Sequence, residues 1–247
     1  MTSYPQIRAF GDTGFSVEFG EGIDRAVNAQ VMALHAALAE AKLPGVVETI
    51  PSFRALLVQY DPLNTSRADL EAQVRAMLAG LKAEQRTGRL WRLPVCYAPD
   101  LAPDLLDVAE RCKTTPDAVV ATHTAGRYFV YMLGFMPGLA YMGGLAASLH
   151  LPRRKEPRLK VPQGSVAIAE SMTTIYPWES PGGWHLIGRT PLKLFDASRA
   201  EPILLAAGDE VTYTAISADD YVAMLSRVEQ GAFDYAALQI NEGQVKP

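Results

Sequence analysis

Residues 1–95 switch repeatedly between two hydrophobic periods. PQIRAFG and FSVEFG alternate over short spans joined near Gly11–Gly14, which predicts two strands. From Gly22 to Lys42, Ile23, Val27, Val31, Leu34 and Leu38 recur at intervals of three and four, one face of a helix, and Pro44-Gly45 ends it. VVETI and RALLVQYD follow as two more strands; in the second, Leu56, Val58 and Tyr60 alternate with Ala55, Leu57 and Gln59. Ser66 is placed to cap a second helix, with Asp69 as a short capping-box partner. Leu70, Val74, Met77 and Leu81 form its stripe. Gly88 turns the chain into RLWRLPVCY, a further strand. The order ββαββαβ predicts an α+β N-terminal domain over residues 1–95, with helices on one face of a mostly antiparallel sheet.

The pattern changes near Tyr97. Two short helices are expected, LLDVAERC after Pro103 and a second that starts at Pro116 behind Thr114-Thr115 and closes at Gly126. RYFVYML is a strand. From Gly134 to residue 217 helical stripes are few and glycines and prolines many. Short strand patterns recur there: SVAIA, HLIGR, PLKLF, PILLA and EVTYTAI. Residues 96–247 therefore read as a mainly-β domain, a barrel or a sandwich. YVAMLSRVEQG is a final helix, and the last dozen residues are expected to be loose. No internal repeat or low-complexity tract interrupts the chain.

Composition narrows the class. A chain of 247 residues, 49% hydrophobic and 20% charged, is globular and long enough for one large core or two smaller ones. The net charge of −4 provides no broad positive footprint, so nucleic acid is not an expected partner. Cys96 and Cys112 form no CxxC pair, which argues against a disulfide framework and a zinc site. No apolar run is long enough to span a bilayer, and the first residues lack a signal-peptide pattern. A cytoplasmic protein is expected, with no membrane partner.

Four segments carry candidate chemistry. In GFMPGLAYMGGL, Pro137-Gly138 is a turn, Tyr141 an apolar wall, and the glycines suit either a backbone anion nest or a barrel corner. In PRRKEPRLKVPQGS, Arg153, Arg154, Lys155, Arg158 and Lys160 face a single acid, Glu156. Guanidinium forks match carboxylate or phosphate oxygens, although a solvated basic loop has the same composition. YPWESPGGWHLIGRTP places a tight turn, Ser180–Gly183, between Trp178 and Trp184. Its glycines are expected in conformations closed to other residues, and Trp184 is either a pocket wall or a core plug. His185 and Arg189, four residues apart, share one face of a regular strand. His123 lies on the apolar face of a short helix near its C-terminus, where the dipole favours its protonated form. It is either a proton-transfer group or a satisfied buried histidine. His35, His150 and His185 show no metal-ligand spacing, so no metal site is expected.

VYMLGFMPGLAYMGGL, LPRRKEPRLKVPQGSVAIA, IYPWESPGGWHLIGRTPLKLF and LLAAGDEVTY together resemble the KipI / allophanate hydrolase subunit 1 family, which includes the B-type subunit of the prokaryotic 5-oxoprolinase. The resemblance spans roughly residues 4 to 216. It implies that the mainly-β half is a cyclophilin-like barrel. It implies two protein partners, one of the allophanate hydrolase subunit 2 / KipA type and one of the LamB/YcsF type. The implied reaction is ATP-dependent opening of a small cyclic amide, 5-oxoproline, to L-glutamate. ATP, with or without Mg, would bind here or in a site shared with a partner subunit. For that chemistry His123, Arg158 and Arg189 are the expected catalytic residues. Arg153, Gly138, Tyr141, Gln163, Tyr176, Gly182, Gly183 and Trp184 are the expected substrate and anion contacts. The alternatives within the family are a KipI-like regulator of a histidine kinase and an allophanate- or urea-processing subunit. One departure bears on substrate: where many members carry IAGxQTGIYP, this chain reads IAESMTTIYP, with Glu170, Met172 and Thr174 in place of Gly, Gln and Gly.

Overall fold

Leu56, Val58 and Tyr60 alternate with less buried neighbours along one strand, and the first sheet is built on that strand. The computed structural model describes residues 3–83 and 88–241. It divides the chain into two units, Met1–Arg86 and Thr87–Pro247. The first contains β1 (Gln6–Ala9), β2 (Gly14–Glu18), α1 (Arg25–Ala41), β3 (Val46–Pro51), β4 (Ala55–Tyr60) and α2 (Arg67–Ala79). Its sheet is antiparallel in the order β1-β2-β4-β3. Phe15 and Val17 of the sheet meet Val31, Leu34 and Leu38 of α1 and Leu70 and Val74 of α2 in one core. The Asp24 carboxylate caps α1 by accepting from the Ala26 and Val27 N–H groups at 2.8 and 3.1 Å. Ile23, expected in the helical stripe, therefore precedes the cap and is 44% exposed. Ser66 caps α2 as expected, accepting from the Asp69 N–H at 3.1 Å while its hydroxyl donates to the Asp69 carboxylate at 2.6 Å.

The second unit begins earlier than the sequence pattern suggested. β5 (Leu90–Cys96), read as the last strand of a domain ending at residue 95, belongs to the barrel. The reason is a parallel ladder running from Leu90↔Glu210 to Cys96↔Ile216, a pairing that local periodicity cannot reveal. The remaining elements are α3 (Leu105–Arg111), α4 (Pro116–Ala125), β6 (Tyr128–Leu133), β7 (Ala140–Gly143), β8 (Arg158–Val161), β9 (Ser165–Ala169), β10 (Met172–Ile175), β11 (Ser180–Gly182), β12 (His185–Arg189), β13 (Glu210–Ile216) and α5 (Ala218–Glu229). The strands close as a barrel in the order β10-β7-β6-β13-β5-β12-β9, while β8 and β11 pair separately. Of the barrel and the sandwich, the barrel is the one formed.

Several local expectations meet their physical test here. Thr115 caps α4 with Pro116 at its first turn. Gly126 ends that helix with φ −72°, not left-handed; a Cβ there would lie 2.4 Å from the Tyr128 hydroxyl, so space is the requirement. PLKLF and PILLA alternate like strands but make only an isolated bridge, Phe195↔Ile203. Their leucines are buried from a loop, which imitates strand periodicity. The tail, expected to be loose, is tied to β5 by the Trp91↔Gln239 bridge and by the Ile240 N–H donating to the Leu90 carbonyl at 2.9 Å. Residues 242–247 lie outside the described part. Among the described residues no helix is long and apolar enough to cross a membrane.

Candidate functional site

β7, β9 and β10 turn alternate residues into and out of the barrel. Ala140, Met142, Val166, Ile168 and Ile175 belong to the interior core. Tyr141, between the first two, therefore faces outward. On that outer face its ring meets Trp184 edge-on, with centroids 5.9 Å apart and planes at 65°. The Arg153 guanidinium lies over the Trp184 ring, 5.7 Å from its centroid. Tyr176 completes the corner. Burial, reinforced by Tyr141, pushes its phenol up to about 12, and Arg153, a Trp184 backbone hydrogen bond and Arg158 pull less strongly the other way. Tyr176 is thus a neutral hydroxyl at physiological pH.

The turn before Trp184 owes its glycines to this packing. A Cβ on Gly182 would stand 2.3 Å from the Tyr176 hydroxyl. The Gly183 carbonyl accepts from the Arg154 N–H at 2.8 Å, which ties the basic loop to the turn. The expectation of special backbone angles is corrected: neither glycine is among those with positive φ. Close approach, not conformational freedom, excludes a side chain at Gly182.

Below the basic loop lies a carboxylate that sequence reasoning missed. Asp104 precedes α3 and looks like an N-cap, but its side chain makes no cap bond. Its Oδ1 accepts from Arg154 Nη1 at 3.0 Å and from Arg158 Nη2 at 2.6 Å. Its Oδ2 accepts from the Leu186 N–H on β12 at 2.7 Å. Only 3% of Asp104 is exposed, so the charge is buried and satisfied by these donors. Beside it, His185 Nε2 donates to the Pro152 carbonyl at 3.0 Å. Its Nδ1 has no hydrogen bond, and Asp107 Oδ2 stands 3.8 Å away. Arg154 Nε and Arg158 Nη1 are also buried without a partner.

Arg153, Arg158, Tyr141, Tyr176, Gly182, Gly183 and Trp184 are therefore brought into one corner. Four other expected residues are not. His123 is fully buried on α4, stacked on Tyr213 with centroids 4.5 Å apart and planes at 16°. Thr173 donates to the Ala167 carbonyl at 3.1 Å, so its oxygen is free to accept from His123 Nε2–H at 3.2 Å. His123 Nδ1 then accepts from the Tyr97 hydroxyl at 2.8 Å. Burial pushes the imidazole down to about 3, which corrects the expectation of a dipole-favoured protonated form. A helix terminus stabilises a charge by at most about 2 kcal/mol, whereas burying an ion costs several.

Arg189 lies further along β12 and makes none of the corner's contacts. β12 carries a bulge between Leu186 and Gly188, so His185 pairs with Ile168 but Arg189 with Ser165. The bulge puts His185 and Arg189 on opposite faces, contrary to the regular-strand expectation. Four residues of strand also span about 13 Å. Arg189 Nε donates instead to the Gln163 carbonyl at 2.7 Å, which is the contact made by that expected binding residue. Gly138, with φ 84°, forms the expected turn: the Leu139 N–H donates to the Met136 carbonyl at 3.1 Å. It packs against the Leu194 backbone, where a Cβ would lie at 3.2 Å. The clustering around one cavity that would mark Arg153, Arg158, Arg189 and His123 as a single catalytic group is thus not found: His123 is enclosed in the core and Arg189 is held at Gln163.

The unusual IAESMTTIYP segment forms the β9–β10 hairpin. Glu170 sits in its turn with φ 52°, a conformation that glycine adopts without strain. The Thr174 hydroxyl donates to the Ala140 carbonyl at 2.7 Å, so it adds no open hydrogen-bond donor to the outer face. Among the described residues no group of three or more His, Cys, Asp or Glu could hold a metal ion.

Residues 5–205 match the family model of the carboxyltransferase domain, subdomain C and D, and the chain belongs to this family. It is similar to the B-type subunit of 5-oxoprolinase from Bacillus subtilis (strain 168), with 39% identity over 237 residues, 90% of this chain and 98% of the relative. The crystal structure of TTHA0988 superposes with TM-score 0.73 at 37% identity, covering 85% of this chain and 40% of that one. The urea amidolyase of K. lactis superposes with TM-score 0.80 over 92% of this chain and 16% of that one; at 19% identity this likeness shows the shared fold. The family agrees with the resemblance carried by the sequence motifs.

Proposed function

We propose that this chain is the B-type subunit of an ATP-dependent 5-oxoprolinase, which opens the lactam of 5-oxoproline to L-glutamate together with partner subunits. The observation that carries this reading is the near end-to-end likeness to the corresponding 5-oxoprolinase subunit of Bacillus subtilis. The outer corner supports it. Tyr141, part-exposed and backed by the buried Trp184 and Tyr176, offers an aromatic surface that suits a small flat ring. The partners proposed are one protein of the allophanate hydrolase subunit 2 / KipA type and one of the LamB/YcsF type, working in the cytoplasm.

ATP supplies the phosphoryl group that activates the amide oxygen. A triphosphate asks for several uncompensated cations. Asp104 cancels one of the two charges of Arg154 and Arg158, and what remains, with Arg153, falls short of the charge of a triphosphate, so the corner does not fit one. We assign the nucleotide cradle to a partner protein and derive no step through it on this chain.

The test is 5-oxoproline-dependent ATP hydrolysis and glutamate formation by the chain alone and with both partner proteins. Turnover only in the full set is expected. The reading is overturned if the folded full set fails with 5-oxoproline but turns over with allophanate.

A further inference from the structure

The arginines of the basic loop are not equivalent. Arg154 and Arg158 converge on one oxygen of the buried Asp104. Arg153, one residue earlier, is exposed and holds its guanidinium over the Trp184 ring, 5.7 Å from the centroid. Among the described residues no carboxylate pairs with it. A cation held over a ring spends no hydrogen-bond donor on it, so the N–H fork that grips a carboxylate bidentately stays open. The backbone on either side is immobilised. The Arg154 N–H donates to Gly183, Arg158 pairs with Gly182 across the β8–β11 ladder, and the Pro152 carbonyl accepts from His185.

We propose that Arg153 binds the carboxylate of the substrate and that Asp104, acting through Arg154 and Arg158, is the positioning residue that keeps Arg153 over Trp184. The site then selects small flat amides that carry a carboxylate beside the ring nitrogen. This rests on the 5-oxoprolinase reading and adds to it a specificity determinant. Pinning matters because an exposed arginine loses rotamer freedom on binding, and one already drawn over a ring loses less. The neutral phenol of Tyr176 beside Arg153 places no competing anion at the fork.

Steady-state kinetics of the complete subunit set provide the test. Arg153→Ala is expected to raise KM for 5-oxoproline about tenfold or more, with kcat within about twofold. For 2-pyrrolidinone, the same lactam without its carboxylate, the variant and the wild type should have equal KM. Asp104→Asn is expected to raise KM for 5-oxoproline about threefold, again at nearly constant kcat, while Lys155→Ala on the same loop changes neither. An unchanged KM in Arg153→Ala overturns the carboxylate site. A kcat loss at constant KM in Asp104→Asn overturns the positioning role.

If the wild-type set has no 5-oxoproline activity, the functional reading fails on its own, and binding decides the site. Tryptophan emission of the isolated chain is then titrated with 5-oxoproline. A change that disappears in Arg153→Ala supports the carboxylate site. No change in the wild type, or the same change in the variant, refutes it.

Discussion

Two histidines with no exposed surface sit in the barrel unit, and they are held in opposite ways. His123 has both nitrogens answered by hydroxyls, Tyr97 on one side and Thr173 on the other, among stacked tyrosines. His185 has one nitrogen answered by a backbone carbonyl and the other by nothing within hydrogen-bond distance, beside the Asp104 network. The interior cluster is neutral and closed. The corner cluster is charged and keeps buried donors unanswered on Arg154 and Arg158. A closed chain of hydrogen bonds fixes the barrel; spare polar capacity beside the part-exposed Tyr141 ring is what a binding site requires.

The largest effect that would break this contrast is at the carboxylate. Asp104→Ala leaves two guanidinium groups without their counter-charge and frees the Leu186 N–H. Since Arg154 and Arg158 keep 30% and 25% side-chain exposure, the loss is set at the lower end for a broken buried pair, about 3 kcal/mol. Urea unfolding checks it; a change no larger than that of an exposed substitution would show that the corner is not held by charge.

The interior makes a smaller and pH-dependent prediction. His123→Phe preserves a ring but strands the Tyr97 hydroxyl and leaves Thr173 with its Ala167 bond alone, and costs about 2 kcal/mol at neutral pH. The folded imidazole is held at about 3 against an ordinary value of 6.5, so the unfolded chain binds the extra proton between them. Stability from this group is therefore complete above pH 6.5 and falls as pH drops toward 3, with a limiting slope of about 1.4 kcal/mol per pH unit. The variant should lose that component of the slope in unfolding titrations. Equal slopes in both proteins would mean that His123 is not a sealed neutral group.

Two glycine exchanges sharpen the comparison further. Gly182→Ala drives a methyl into Tyr176, and about 1.5 kcal/mol of stability should go with it, together with a perturbed Trp184 emission. Glu170→Gly acts in the reverse direction. It relieves a left-handed non-glycine residue on the hairpin turn and should add about 1 kcal/mol in thermal unfolding without touching the corner. A destabilised Glu170→Gly protein would mean that the Glu170 side chain contributes more than its backbone strain costs.

Much of the first unit was legible because its signals are local. The Ser66 helix cap and the alternation of Leu56, Val58 and Tyr60 act within a few residues of themselves. The barrel unit was less legible where its contacts join distant segments. β5 looked like the end of the first domain, yet its partner β13 lies about one hundred and twenty residues away in the register Leu90↔Glu210. β8 and β11, of four and three residues, carry too little periodicity to be seen at all.

The candidate site divides along the same line. Residue types alone marked Tyr141, Arg153, Tyr176, Gly182 and Trp184 as candidates, without separating a pocket wall from a core plug at Trp184. Which of the marked cations remained open was settled only in three dimensions. The Gln163 carbonyl engaged Arg189, the core enclosed His123, and Asp104, whose place before a helix disguised it as a cap, claimed Arg154 and Arg158. Composition and spacing determine what chemistry a chain can offer. Strand register and burial decide which groups meet, because a one-residue shift reverses a face and a buried charge must be paired or given up.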